Sequence, residues 1–168
     1  MKAALVLAGV LVMSLPAAAE YVNARSGLNV RAEPSQGAQI VAVLPFAQEV
    51  HGKVRDGWME APEGFLNADY LQESDPLSEF EYAGEWLTTA YTHTGQACAN
   101  GEYPENHFTI AANSLPIGTE VYIRGVGFRT VEDRGPAAMP ASWLDIFMDS
   151  ESDCVLYGMQ YHDVWIIR

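Results

Sequence analysis

Four acidic side chains stand where a carboxylate needs a physical reason to be. Asp133 sits in Val131-Glu132-Asp133-Arg134-Gly135-Pro136, between a β-like run and a rigid turn. Asp145 and Asp149 belong to the apolar run Trp143-Leu144-Asp145-Ile146-Phe147-Met148-Asp149, and Glu102 follows Gly101 in a turn-rich stretch. A carboxylate in such surroundings either accepts hydrogen bonds and stays charged or is desolvated, with its pKa raised toward that of a general acid. Two acids held in different environments are the pair that general acid/base cleavage of a glycosidic bond requires. Plainer roles compete: Asp133 bonding turn amides, and Asp149 capping a following helix.

The other reactive side chains narrow the chemistry. His51, His93, His107 and His162 show no H-x-x-x-H spacing, and Cys98 and Cys154 no C-x-x-C spacing, so nothing specific indicates a zinc site. The first residues lead to the expectation that the chain is exported from the reducing cytoplasm. Lys2, the apolar run Ala3 to Leu15, Pro16 and then Ala17-Ala18-Ala19 have the order of a cleavable secretory signal. The run is shorter than the roughly 20 residues of a membrane span. Cleavage is expected after Ala19, against the alternative of a retained anchor. No cysteine follows the small residues to take a lipid. The expected location is periplasmic or secreted, without a membrane anchor, and in such an oxidising compartment Cys98 and Cys154 are expected to form a disulfide.

With 22 acidic against 9 basic residues the formal charge is −13. Nucleic acid is therefore not an expected partner, because phosphate contacts need clustered Lys and Arg. Anionic membrane surfaces are disfavoured for the same reason.

The elements that must position the acids are short and mostly strands. Residues 20–73 contain strand-like runs at Gly27 to Arg31, Ile40 to Leu44, Glu49 to Val54 and Trp58 to Ala61, separated by turn residues. The acidic stretch 74–85 lacks a sustained period and suits a linker or a domain-bridging segment. Residues 86–168 place runs at Leu87 to Tyr91, Phe108 to Ala112, Glu120 to Ile123, Phe128 to Glu132 and Asp163 to Ile167. One helix is expected over Ser150 to Tyr157, with Asp149 or Ser150 as its cap and Gly158 at its end. The expected fold class is mainly all-β: two small domains, the second a barrel with one or two short helices.

Two resemblances sharpen this reading. Gly27-Leu28-Asn29-Val30-Arg31-Ala32-Glu33-Pro34, Asp56-Gly57-Trp58-Met59-Glu60 and Asp69-Tyr70-Leu71 resemble bacterial SH3-like domains, in which such an arginine and tryptophan are mainly scaffold. That resemblance implies a targeting module contacting cell-wall peptide or glycan. Thr89-Ala90-Tyr91, the run Ile110 to Ile123 with its Leu115-Pro116-Ile117-Gly118-Thr119 turn, Glu132-Asp133-Arg134-Gly135-Pro136 and Leu144 to Ser150 together resemble the 3D domain and the barrel of rare lipoprotein A. Both are six-stranded double-psi β-barrels, related to the barrel of lytic transglycosylase A and to expansins.

The second resemblance implies lytic transglycosylation of peptidoglycan glycan strands, without a metal or organic cofactor. It assigns Asp145 as acid/base, Asp133 as its neighbour in the cleft and Glu102 as a further acid, with Tyr91, Asn113 and Arg134 as substrate contacts. Asn113 is a departure: it stands where the 3D pattern has its first aspartate and rare lipoprotein A a histidine, and an amide cannot move a proton. The alternatives are a non-catalytic glycan-binding or expansin-like wall protein, and an envelope interaction protein in which the barrel is only a scaffold.

Overall fold

The computed structural model describes residues 19–168. Apart from Ala19, the expected secretory signal lies outside the described residues.

The N-terminal part contains eight short strands: β1 Ala19–Val22, β2 Leu28–Arg31, β3 Ile40–Leu44, β4 Glu49–His51, β5 Lys53–Arg55, β6 Trp58–Ala61, β7 Gly64–Asn67 and β8 Leu71–Gln72. They form two sheets, ordered β4-β1-β8 and β3-β2-β7-β6-β5. Their shared core is Val22, Leu28, Val30, Val50, Met59 and Leu66. In β2, Leu28 and Val30 alternate with Asn29 and Arg31, which burns in the period of a half-buried strand. The Arg31 guanidinium donates to the Ala38 carbonyl at 2.8 Å, a scaffold contact.

The C-terminal part contains β9 Glu81–Tyr91, β10 Thr109–Ala111, β11 Glu120–Ile123, β12 Gly127–Asp133, β13 Trp143–Phe147, the helix α1 Glu151–Tyr157 and β14 Gln160–Ile167. The six strands close into a barrel in the order β10-β12-β11-β14-β9-β13. It is a mixed barrel: β10 with β12 and β13 with β9 run parallel, and the other four pairings are antiparallel. Its interior is filled by Ile110, Val121, Ile123, Val131, Leu144, Ile146 and Val164, a packed core and not a channel. Among the described residues, no helix is long and apolar enough to cross a membrane.

The stretch 74–85 is ordered. Asp75 caps a short 3-10 turn, Pro76–Glu79, by accepting from the Leu77 amide, and β9 already begins at Glu81. Leu77 and Phe80 pack with Phe46 from the N-terminal part and with Tyr122, Phe128 and Trp165 from the barrel, in one apolar cluster. The Tyr122 hydroxyl donates to the Phe46 carbonyl at 3.1 Å. Beside it, Arg25 pairs with Glu120 at 2.7 Å and lies 4.0 Å from the centre of the Phe128 ring. The two parts thus share a small hydrophobic core of their own.

Helix α1 ends where glycine and serine dictate. The Ser150 hydroxyl, and not Asp149, accepts from the Asp153 amide at 3.1 Å; Gly158 closes the last turn at φ 63°.

Candidate functional site

Asp145 lies in the middle of β13, where alternation decides its direction. Leu144 and Ile146 point into the barrel, so Trp143, Asp145 and Phe147 share the outer face. The parallel register pairs Asp145 with Thr89 and Phe147 with Tyr91; on the other side, Asp145 pairs with Ala111.

Asp133 reaches the same face through an irregularity. Along β12, Arg129 pairs with the interior residue Val121, and Val131 with the interior residue Ile110. Strict alternation would send Asp133 inward as well. The ladder instead shifts one residue, so that Ala111 pairs with Asp133 and Glu132 is passed over. Such a bulge re-aims the side chains that follow it. Asp133 and Asp145 therefore flank Ala111 from strands two apart, with Cα atoms about 10 Å from each other at ordinary strand spacing. The methyl of Ala111 leaves the ground between them low.

The bonding of the two acids differs. Thr89 Oγ1 donates to Asp145 Oδ1 at 2.6 Å, and Trp143 Nε1 donates to Thr89 Oγ1 at 2.8 Å. Indole is a donor only, so the threonine hydroxyl accepts from it, and the hydroxyl's one proton is directed at Asp145. Oδ2 is left as the oxygen that can carry a proton. Burial pushes the Asp145 carboxyl above its ordinary range; the Thr89 hydrogen bond opposes this, and the charge of Asp133 adds to it. Asp133 Oδ1 accepts from the amides of Ala99 and Arg134 at 3.1 and 2.8 Å, and Oδ2 from the Tyr91 hydroxyl at 3.4 Å. One carboxyl is desolvated and singly bonded, the other multiply bonded and acceptor-only.

Tyr91 forms the wall between them. Its ring packs edge-on against Phe147 at 5.5 Å, and burial, then Cys98 and Asp133, hold its hydroxyl protonated by raising its pKa. Cys98 lies behind this hydroxyl, its thiol pushed up by burial and by Asp133.

The expected disulfide is not formed: Cys98 and Cys154 are both free. The Cys98 thiol is engaged with Tyr91 and Asp133, whereas Cys154 is carried by α1.

The remaining expected site residues are arranged differently from the two aspartates. Glu102 is exposed on a turn in which the Cys98 amide donates to the Glu102 carbonyl at 2.7 Å. The turn is docked on β12 by the Asn100 amide, which donates to the Glu132 carbonyl at 3.0 Å. Arg134 directs Nη1 to the carbonyls of Ala112 and Leu115, latching the loop after β10. Asn113 donates to the Pro136 carbonyl at 2.8 Å and accepts from the Gly135 amide at 3.1 Å. Both side chains shape the turn beside Asp133, although each sits at an exposed position. Asp149 accepts from Asn106 at 2.8 Å and lies 3.9 Å from His93 Nε2.

Residues that sequence reasoning passed over hold the site together. Thr89 and Trp143 orient Asp145, and Ala111 separates the acids. Thr109 is fully buried, with its hydroxyl donating to Glu132 at 2.6 Å and accepting from the Glu105 amide at 2.8 Å. The spacing Thr89/Tyr91 and Trp143/Asp145/Phe147 carries the period-two signal of a shared strand face.

Among the described residues, no group of three or more His, Cys, Asp and Glu side chains is arranged to hold a metal ion. The fold and site define a mainly β protein whose closed, mixed six-stranded barrel carries two dissimilar carboxyl groups on one outer face. Comparison with protein-family models, curated proteins and solved structures finds no match.

Proposed function

We propose that this chain is an exported protein acting on peptidoglycan, and that its barrel is a double-psi barrel of the 3D or rare lipoprotein A type working as a lytic transglycosylase. The observation that carries the proposal is Asp145: a half-buried carboxyl with a raised pKa, one oxygen fixed by Thr89, and a second carboxylate facing it across Ala111. The closed mixed barrel supports the family reading, and the N-terminal sheets are read as the SH3-like targeting module.

In this mechanism Asp145 Oδ2 delivers its proton to the glycosidic oxygen between N-acetylmuramic acid and N-acetylglucosamine, and the bond to the anomeric carbon breaks. The Asp145 carboxylate then takes the proton of the muramic acid's primary hydroxyl, whose oxygen closes the anhydro ring on that carbon. The acid is regenerated, and no water is consumed. Asp133 supplies negative charge near the developing oxocarbenium ion, and Tyr91 holds Asp133 in place. An open outer face suits a polymeric substrate.

The test is digestion of purified sacculi and of peptide-free glycan strands by the mature protein and by Asp145→Asn, with products read by mass spectrometry. Anhydro-muramic products from the parent, absent with a folded Asp145→Asn variant, are expected. Binding of both substrates without release would replace this proposal with the glycan-binding reading. Recovery of a single envelope protein instead of sacculi would favour the interaction reading.

A further inference from the structure

Among the described residues Arg129 is the buried cation, and nothing in the acid/base site uses it. Its side chain points to the interior of the barrel, paired across from Val121, and is 8% exposed. A buried charge is ordinarily paired, because desolvation alone costs several kcal/mol. Among the described residues Arg129 has no carboxylate within ion-pair distance. Nη1 donates to the Phe128 carbonyl at 2.7 Å, and Nε is buried without a partner. Burial pushes its pKa down, as it does for an uncompensated cation.

The surroundings are those of a ligand pocket. Arg129 lines a cavity of about 370 Å³ beside α1, together with Val126, Ile146, Phe147, Met148 and Tyr157. It lines a second cavity on its other side, where the barrel meets the N-terminal part. The floor between the two is the turn joining β11 and β12, at Gly125 and Gly127, with φ of 81° and 102°. A Cβ at Gly127 would come within 3.6 Å of Arg129 Nη1, and one at Gly125 within 3.7 Å of the His162 ring. His162 Nε2 is also buried without a partner. Two orphaned nitrogen atoms thus lie at one end of the barrel, around a turn made of glycine.

We propose that this cavity is a binding site for an organic monocarboxylate with an apolar body, its carboxylate held by Arg129. Nη1 is occupied by the Phe128 carbonyl and Nε is closed off from solvent, which leaves Nη2 as the donor open to a carboxylate oxygen, in a charge-assisted hydrogen bond. Val126, Met148 and Tyr157 supply the apolar wall for the rest of the ligand. Asp153 also lines the cavity and the chain's net charge is −13, both of which disfavour a dianionic phosphate. Phe147 connects the cavity to the outer face, because its ring packs against Tyr91. The inference does not rest on the glycan-cleaving reading.

The experiment is a titration of the isotope-labelled full chain with hexanoate, its uncharged counterpart hexanamide, and inorganic phosphate, followed by amide NMR. Hexanoate is expected to give saturable shifts centred on Gly125, Val126 and Tyr157, with at least tenfold weaker binding by hexanamide and by phosphate. Arg129→Met is expected to lower hexanoate affinity at least tenfold while leaving thermal stability equal or higher, since it removes an unpaired buried charge. Equal binding of hexanamide, equal binding of phosphate, or shifts elsewhere on the chain would overturn the proposal. So would a folded Arg129→Met variant that binds hexanoate as the parent does. If that variant did not fold, the comparison of the three probes on the parent would still decide.

Discussion

Thr89 gives its only hydroxyl proton to Asp145. The contact is 2.6 Å long, and the Trp143 indole donates to the same hydroxyl from 2.8 Å. A carboxyl group otherwise free to present either oxygen is thereby oriented by two neighbours on its own sheet face.

The first prediction concerns that bond. It opposes the upward push that burial gives the Asp145 carboxyl, so Thr89→Val should raise the Asp145 midpoint further. A hydrogen bond to a charged group is worth about 1.5–3 kcal/mol, enough for the rise to be resolved. Carboxyl carbon NMR of Asp145 would measure it. An unchanged midpoint would mean that Thr89 does not bond the ionised form.

Asp133→Asn should move the same midpoint the other way. The Asp133 charge favours the neutral form of Asp145, and its removal lets Asp145 ionise at lower pH. The same titration checks this, and a midpoint that does not fall would show the two acids to be uncoupled.

The raised pKa also predicts how stability varies with pH. A carboxyl group whose folded pKa lies above its unfolded value binds more protons in the folded state, so its contribution falls as pH rises from about 4 through the folded midpoint. Asp145→Asn abolishes that loss. The variant should be at least as stable as the parent at pH 7, with the difference shifting in the parent's favour toward pH 4. Thermal unfolding of both proteins at the two pH values tests this; a variant much less stable at pH 7 would mean that the carboxylate is structural.

Both thiols should be available once the chain is unfolded. Alkylation in denaturant without reductant is expected to add two adducts by mass. In the folded protein Cys98 should react more slowly than Cys154, because it is buried and Cys154 is half-buried. Labelling that required prior reduction would restore the disulfide.

The cluster joining the two parts makes a stability prediction. Phe46 is 5% exposed at its centre, so Phe46→Ala should cost about 3–5 kcal/mol. Tyr122→Phe loses only the hydrogen bond to the Phe46 carbonyl and should cost about 1 kcal/mol. Denaturant titration would show both, and a Phe46→Ala variant as stable as the parent would mean that the two parts do not fold against each other.

Much of this architecture was legible in the chain because it is local. Alternation in Leu28-Asn29-Val30-Arg31, the turn glycines, and serine and glycine at the two ends of α1 act over a few residues, where backbone sterics and hydrogen bonding decide. The acidity of the chain and the unusual setting of Asp145 among apolar residues were likewise set by composition and neighbours. Tertiary structure decided the rest. Which face Asp133 occupies depended on a bulge against β10, a feature of pairing between strands some 20 residues apart in sequence. Thr89 acquired its role only when the parallel register set it opposite Asp145, 56 residues away. Asn113 and Arg134 found partners in neighbouring loops, and the two cysteines were given separate surroundings. A sequence specifies which groups are available; long-range register specifies which of them meet.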